Sequence, residues 1–262
     1  MKSSEVAAYW EANAETWTKH VRAGFDVYRD ALNTPAFLAM LPPVAGLAGL
    51  DVGCGEGSNT REVAKLGARM HAIDIAPTFI RHAAEEERAR PLGIAYQTAD
   101  GQELPFPDAA FDFVTAFMSL MDMPDHARAL AEARRVLRPG GFLQFSILHP
   151  CFVPPHRRVV RDAYGAVRGV ELGGYFDAVD GKIDTWWFST LSPEERQEVA
   201  PFRIPRFHRT LGAWVDLIRG AGLVIERFAE PSAGADLARA EPVVADTRVV
   251  PIFLIVRATR PA

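Results

Sequence analysis

The segment Leu50 to Asn59 limits the fold of this chain more than any other. Leu50-Asp51-Val52 reads as a buried strand, Gly53-Cys54-Gly55-Glu56-Gly57 as a tight loop, and Ser58-Asn59 as the start of a helix. Glycine at alternate positions lets the backbone turn sharply and approach a bound molecule where a Cβ would collide. The chain then continues the alternation. A helix from about Asn59 to Leu66 is closed by Gly67, and Ala68 to Ile75 is a second strand. Pro77 suits the first turn of a helix running to about Arg90. Ile94 to Thr98 and Phe111 to Phe117 are the third and fourth strands. From Pro124 to Arg138 the pattern is helical, with Asp122 and Asp125 at its start and Arg134, Arg135 and Arg138 at its end, as the helix dipole favours. Pro139-Gly140-Gly141 stops it, and Phe142 to Leu148 is the fifth strand. Such alternation implies a parallel sheet covered on both faces.

The flanks read differently. Trp10, Ala14 and Trp17 fall at helical spacing, and Pro42 and Pro43 break the pattern. Residues 150 to 209 are rich in proline, arginine and aromatics and show little periodicity. A structureless loop of that length inside a compact domain is suspect unless it is functional, so it reads as an inserted cap or lid. A helix from Leu211 to Ala221 and strands near Leu223 to Phe228 and Ile252 to Ala258 complete the chain.

Composition excludes several classes. The chain is 262 residues long and 48% hydrophobic, enough for a real core. Its net charge is −4, so the basic field of a nucleic-acid-wrapping protein is absent. Two cysteines, Cys54 and Cys151, allow neither a disulfide framework nor a four-cysteine metal site, and no metal is expected. No apolar run approaches the ~20 residues that span a bilayer, and the first residues do not resemble a secretory leader. The expectation is a cytoplasmic protein without membrane or nucleic-acid partners, a monomer or a homodimer.

Asp74 ends the second strand, where a carboxylate can accept hydrogen bonds from a ribose. A dinucleotide loop wants G-x-G-x-x-G, but the third glycine here, Gly57, comes one position early and Ser58 stands in its place. That argues against a nicotinamide-dependent oxidoreductase and suits a ligand without phosphates. With Asp51 to Gly57, Asp74, the run Asp100-Gly101-Gln102-Glu103-Leu104-Pro105-Phe106-Pro107-Asp108, Phe111-Asp112 and Arg135-Val136-Leu137-Arg138-Pro139-Gly140-Gly141 in order, residues 47 to 148 resemble the class I S-adenosylmethionine-dependent methyltransferases. They are similar to the small-molecule group that includes the ubiquinone and menaquinone biosynthesis enzymes.

The resemblance implies an α/β fold. Its core is a Rossmann-like, seven-stranded, doubly wound sheet, mostly parallel with one antiparallel strand, helices on both faces and a cap inserted after strand five. Residues 1–45 would form a helical cap over the donor, 46–149 and 210–262 the core, and 150–209 a substrate-binding insertion. It implies S-adenosyl-L-methionine as cofactor, with Gly53, Cys54 and Gly55 along its methionine part. Asp51 would help hold the amino group. Asp74 would bind the ribose, Ile75 would pack on adenine, and Asp100 beside Gly101 would accept from the adenine amino group. Phe117 and Met118 would sit near the sulfonium, while Cys54 reads as a packing residue and Asp112 as a turn-capping one. A non-catalytic binder of the same ligand is the other reading in this family.

A sulfonium favours aromatic faces, which nominates Tyr9, Trp10 and Trp17 for the near wall. His149 follows the fifth strand directly, at the sheet edge where the ligand belongs, and is nominated as a base or acceptor-orienting group. His156, Trp186, Trp187, Phe207 and His208, with Phe188 and Phe202, suggest an apolar pocket with a polar tip for a small aromatic or lipophilic acceptor. Arg157, Arg158 and Arg161, and Arg203, Arg206 and Arg209, form two basic clusters that read as solvated faces or as sites for an acidic substituent.

Overall fold

The computed structural model describes residues 1–262. Helix α1 (Ser3–Arg22) is followed by a π-helical turn (Arg29–Asn33) that runs into α2 (Thr34–Met40). The alternating unit comprises β1 (Ala48–Val52), α3 (Ser58–Lys65), β2 (Arg69–Asp74), α4 (Pro77–Ala89), β3 (Ala95–Thr98), β4 (Phe111–Phe117), α5 (His126–Val136) and β5 (Leu137–Leu148). Two antiparallel ribbons come next. The first pairs β6 (His156–Arg161) with β7 (Val167–Gly173). The second pairs β8 (Val179–Trp186) with β9 (Phe202–His208), with the short α6 (Glu195–Glu198) between its strands. The chain ends with α7 (Leu211–Gly220), β10 (Val224–Ala229), α8 (Ala235–Ala240) and β11 (Phe253–Thr259).

The main sheet has seven strands in the order β10-β11-β5-β4-β1-β2-β3. All neighbours are parallel except β11, which runs antiparallel to both β5 and β10. The sheet is Rossmann-like, as expected. Strand alternation divides the core between its faces. Val114 and Ala116 of β4 join Leu50, Leu130, Leu143, Phe145, Trp214 and Ile218 on the α5 and α7 side. Phe113 and Phe117 join Phe37, Met40, Val63, Met70 and Ile255 on the α2 and α3 side. No helix is long and apolar enough to cross a membrane.

Two boundaries differ from the sequence reading. Helix α5 ends at Val136, and Leu137 already pairs with Phe111 in extended conformation. The segment is held open by the distant C-terminal stretch: Gly140 N donates to Arg260 O, and Arg260 N donates to Gly141 O, each at 2.8 Å. The second difference lies in residues 150 to 209, which form two ribbons where no regular structure was expected. Their strands are half exposed and held by cross-strand ion pairs such as Arg206–Asp184 and Arg158–Glu171. Pro205 sits inside β9, opposite Ile183, which an edge strand tolerates.

The β8–β9 ribbon packs on α1 through one aromatic cluster. The Trp17 ring lies 5.1 to 5.7 Å from those of Trp186, Phe188 and Phe202. The Asn13 side chain donates to Arg203 O at 3.0 Å. Together α1 and this ribbon roof the edge of the sheet at which β1, β2, β3 and β4 end.

Candidate active site

The glycine loop is built by the strand beside it. Gly53 N and Cys54 N both donate to Ile73 O, at 2.8 and 2.9 Å, which folds the loop back over the end of β2. The turn needs positive φ at Gly53 (+73°) and Gly55 (+55°). A Cβ on Gly53 would lie 2.3 Å from Ser119 Cβ, whereas a Cβ on Gly55 would have no atom within 4 Å and points into open space.

Two buried carboxylates flank the loop. Asp74 accepts from Gly55 N at 2.8 Å and from Ala76 N at 2.9 Å. Asp51 accepts from the hydroxyls of Thr60, at 2.5 Å, and Thr115, at 2.8 Å. Burial pushes each carboxyl up to about 6, against the pull of those hydrogen bonds. Burial and the neighbouring carboxylates also raise the Cys54 thiol, which leaves it an inert packing group.

Asp100 follows β3. Its carboxylate accepts from Gln102 N at 2.9 Å and from the Ser3 hydroxyl of α1 at 2.5 Å. The chain leaves β4 through Met118, a non-glycine residue at φ +54°. Such a conformation is uncommon, and strain of this kind clusters at functional sites.

These pieces enclose one cavity of about 530 Å³, within the range of small-molecule sites. Asp51, Gly53, Cys54, Gly55, Asp74, Ile75, Asp100, Gly101, Phe117 and Met118 line it at the sheet edge; Trp17, Trp186 and Trp187 line it from the roof. The structure brings these sequence candidates together. It adds Ser3, Tyr28, Glu56, Gln102 and Asp122, and of the two basic clusters it brings Arg157 and Arg206 to the wall. Ser3 and Tyr28 carry no local signal, since their roles arise from contacts across the chain: Tyr28 donates to Asp246 Oδ1 at 2.9 Å, and Arg157 holds Asp246 Oδ2 at 2.7 Å.

Five candidates lie elsewhere. Tyr9 does not line the cavity; Trp10, one position on, does, because a helix turns successive side chains apart, and Tyr9 faces Arg203 with the guanidinium 6.0 Å from its ring. His156 is exposed at the start of β6. Phe207 and His208 line a separate small void beside Trp214, as strand alternation turns Phe207 away where Arg206 faces in. His208 Nε2 is spent on Tyr175 O at 2.8 Å.

His149 is the most consequential correction. It is only 2% exposed, lies off the cavity wall, and has both ring nitrogens engaged. Nδ1 accepts from Cys151 N at 3.2 Å, so Nε2 carries the proton and donates to Glu230 Oε1 at 2.8 Å. Burial lowers its pKa and keeps it neutral. It shapes the loop after β5. His149→Ala should therefore lower stability by about 1–3 kcal/mol in chemical denaturation while leaving ligand affinity within twofold. A loss of affinity without loss of stability would contradict this.

Residues 50–145 match the family model described as a methyltransferase domain. They carry a class I S-adenosylmethionine-dependent methyltransferase domain. The domain's cofactor is S-adenosyl-L-methionine. Among similar proteins, a demethylmenaquinone methyltransferase of Tropheryma whipplei is 38% identical over 135 residues, 50% of this chain and 55% of that protein. A 27-O-demethylrifamycin SV methyltransferase of Amycolatopsis mediterranei is 38% identical over 113 residues, 42% of each chain. The chain thus spans about half the length of the curated relatives it matches. Among solved structures, an S-adenosylmethionine-dependent methyltransferase of Mesorhizobium loti aligns over 86% of this chain and 96% of its own, at 28% identity and a TM-score of 0.69. The matched methyltransferase segment holds the glycine loop, Asp74, Asp100, Phe117 and Met118.

Proposed function

We propose that the protein transfers a methyl group from S-adenosylmethionine to a small, aromatic or lipophilic acceptor, and that it does so in the cytoplasm as a monomer or homodimer. The observation that carries this reading is the single cavity joining the glycine loop and its carboxylates to the aromatic roof of α1 and β8–β9. The open space over Gly55 accommodates a ligand chain, and Asp74 and Asp100, which line the same cavity, offer acceptor oxygens for a nucleoside's ribose and base. Gly53, Cys54 and Asp51 would bound the amino-acid end, Ile75 and Gly101 the adenine, and Phe117 and Met118 the sulfonium.

When bound, the cofactor supplies a methyl group already activated on sulfur. The protein's share is alignment and exclusion of water. Trp17, Trp186 and Trp187 present aromatic faces to the cavity, which suit a cation and a flat acceptor alike. Residues 1–45 act as the cap over the donor and 150–209 as the acceptor-binding insertion. Net charge −4 speaks against a nucleic-acid acceptor.

The test is calorimetric titration with S-adenosylmethionine and S-adenosylhomocysteine, followed by mass-spectrometric search for methylated products across a small-molecule library. Binding of both and turnover of at least one acceptor are expected. Affinity weaker than millimolar for both ligands would refute the reading. Binding without any turnover would favour a sensor of the cofactor instead.

A further inference from the structure

We propose that Asp122 is the catalytic base of the acceptor half of the cavity and that the acceptor is protic, presenting a hydroxyl or an amine N–H to this carboxylate. The proposal rests on the methyl-transfer reading above and deepens it.

Asp122 closes the 3₁₀ turn Leu120–Asp122 that follows β4, three residues beyond Ser119, whose side chain abuts Gly53 of the glycine loop. It lines the main cavity, between the donor edge and the β8–β9 roof. Every other acidic side chain on that wall is engaged. Asp51 holds two hydroxyls, Asp74 two backbone N–H groups, Asp100 the Ser3 hydroxyl and Gln102, and Asp26 accepts from Arg29 N. Glu56 faces Arg22 and Arg29, and Asp184 is paired with Arg206. The Asp122 carboxylate accepts no hydrogen bond, and burial and the charge of Arg206 are what act on it.

Arg206 is the nearest cation, but its guanidinium is committed to Asp184 Oδ2 at 3.2 Å and to Val153 O at 2.5 Å. The remaining neighbours are apolar: Met121, Met123, Pro124 and Leu148 share the lining. Asp122 is half-buried on the cavity wall, and its carboxylate, alone among the acids there, keeps its lone pairs free toward the cavity, where a ligand donor can reach them. The other charged groups that face this region are Arg157 across the main cavity and, through the small void behind Asp122, His208 and Arg209. Burial holds the carboxyl up at about 8 despite Arg206, so the ionised form that can take the acceptor's proton prevails above that pH, and activity should rise through about pH 8.

The step balances without any further reactant. A lone pair on the acceptor oxygen or nitrogen forms the new bond to the methyl carbon. The carbon–sulfur bond breaks, with its electron pair left on sulfur. The proton of the acceptor passes to Asp122 and leaves to solvent with the product. A carboxylate and a sulfonium are both neutralised, which an enclosed site of low polarity favours. His149, spent on Glu230 and Cys151 N, cannot serve this role.

The test uses the full chain saturated with S-adenosylhomocysteine. Calorimetry at pH 9, where Asp122 is ionised, measures binding of 2-naphthol, 2-naphthylamine and 2-methoxynaphthalene, the last of which has no proton to donate. The wild type should prefer the protic probes by about tenfold, the worth of one hydrogen bond to a charged group. Asp122→Leu should abolish that preference while leaving S-adenosylhomocysteine affinity unchanged. Asp122→Asn, which keeps an acceptor oxygen, should retain binding but lower kcat about 100-fold or more on any acceptor that turns over, with KM for the cofactor unchanged. The proposal falls if the wild type shows no preference or binds none of the probes. It falls equally if Asp122→Leu keeps the preference, or if Asp122→Asn turns over within threefold of wild type. Failure of the wild type to bind S-adenosylhomocysteine is a separate result, seen in the first titration, and overturns the methyl-transfer reading itself.

Discussion

Asp74→Ala should weaken binding of S-adenosylhomocysteine by about tenfold or more. A ribose diol donating to this carboxylate makes charge-assisted hydrogen bonds, each worth ~1.5–3 kcal/mol when the partner is buried. The substitution also strips the acceptor from Gly55 N, so the loop loses the tie that sets its height above the cavity. The same carboxyl makes affinity depend on pH. Burial raises its pKa to about 6, and the N–H groups of Ala76, Gly55 and Ile75 pull the other way. An acid with a raised pKa is protonated below that value, and the neutral form has given up acceptor capacity. Affinity should therefore hold at pH 7 to 8 and fall below about pH 6, approaching tenfold per pH unit. Calorimetry from pH 5 to 8 reads both effects. A flat profile, or an Asp74→Ala protein that binds like wild type, would remove Asp74 from the site.

Gly53→Ala should be the most destabilising single change in the loop. A non-glycine residue at φ +73° costs about 1–2 kcal/mol before any contact is counted. The new methyl would then overlap Ser119 Cβ at 2.3 Å and Oγ at 2.8 Å. Ser119 cannot step aside, because its hydroxyl is tied to Val52 O at 2.5 Å. Relief must come from backbone shifts, at a further ~1–3 kcal/mol. The total is a loss of about 2–5 kcal/mol, measurable by denaturant unfolding. Gly55→Ala supplies the contrast. Its Cβ meets nothing within 4 Å, so the protein should lose only about 1–2 kcal/mol for the left-handed φ while cofactor affinity drops, as the methyl stands where the ligand would lie. Equal stability losses for the two variants would contradict this account of the loop.

What could be read from the residues was whatever local pattern encodes. Alternating apolar strands and amphipathic helices gave β1 to β5, and the glycines with Asp74 and Asp100 marked one sheet edge, because such features are short in sequence and fixed by backbone geometry. The ribbons β6–β7 and β8–β9 escaped, since two-stranded, half-exposed pairs held by charges leave no hydrophobic period of 2. Leu137 to Gly141 looked like a helix stop, and only Arg260 makes it a strand. Tyr9 and Trp10 were indistinguishable as aromatics until the rotation of α1 chose between them. His149 stood at the right edge of the sheet with its ring turned into the loop. Asp122 was visible only as a charge near a helix start; what distinguishes it is the partner it lacks, and an absence of that kind is written in three dimensions alone.

The place of β11 between β5 and β10 bears on biosynthesis. Its residue Phe253 pairs with Leu148, about a hundred residues earlier. On a translating ribosome β5 therefore waits with one side bare for on the order of ten seconds, at typical elongation rates. Nascent chains cut short before Phe253 keep that bare flank, an invitation to intermolecular strand pairing, so yield in a heterologous host is governed by how well chaperones shield the growing polypeptide until its last strand emerges.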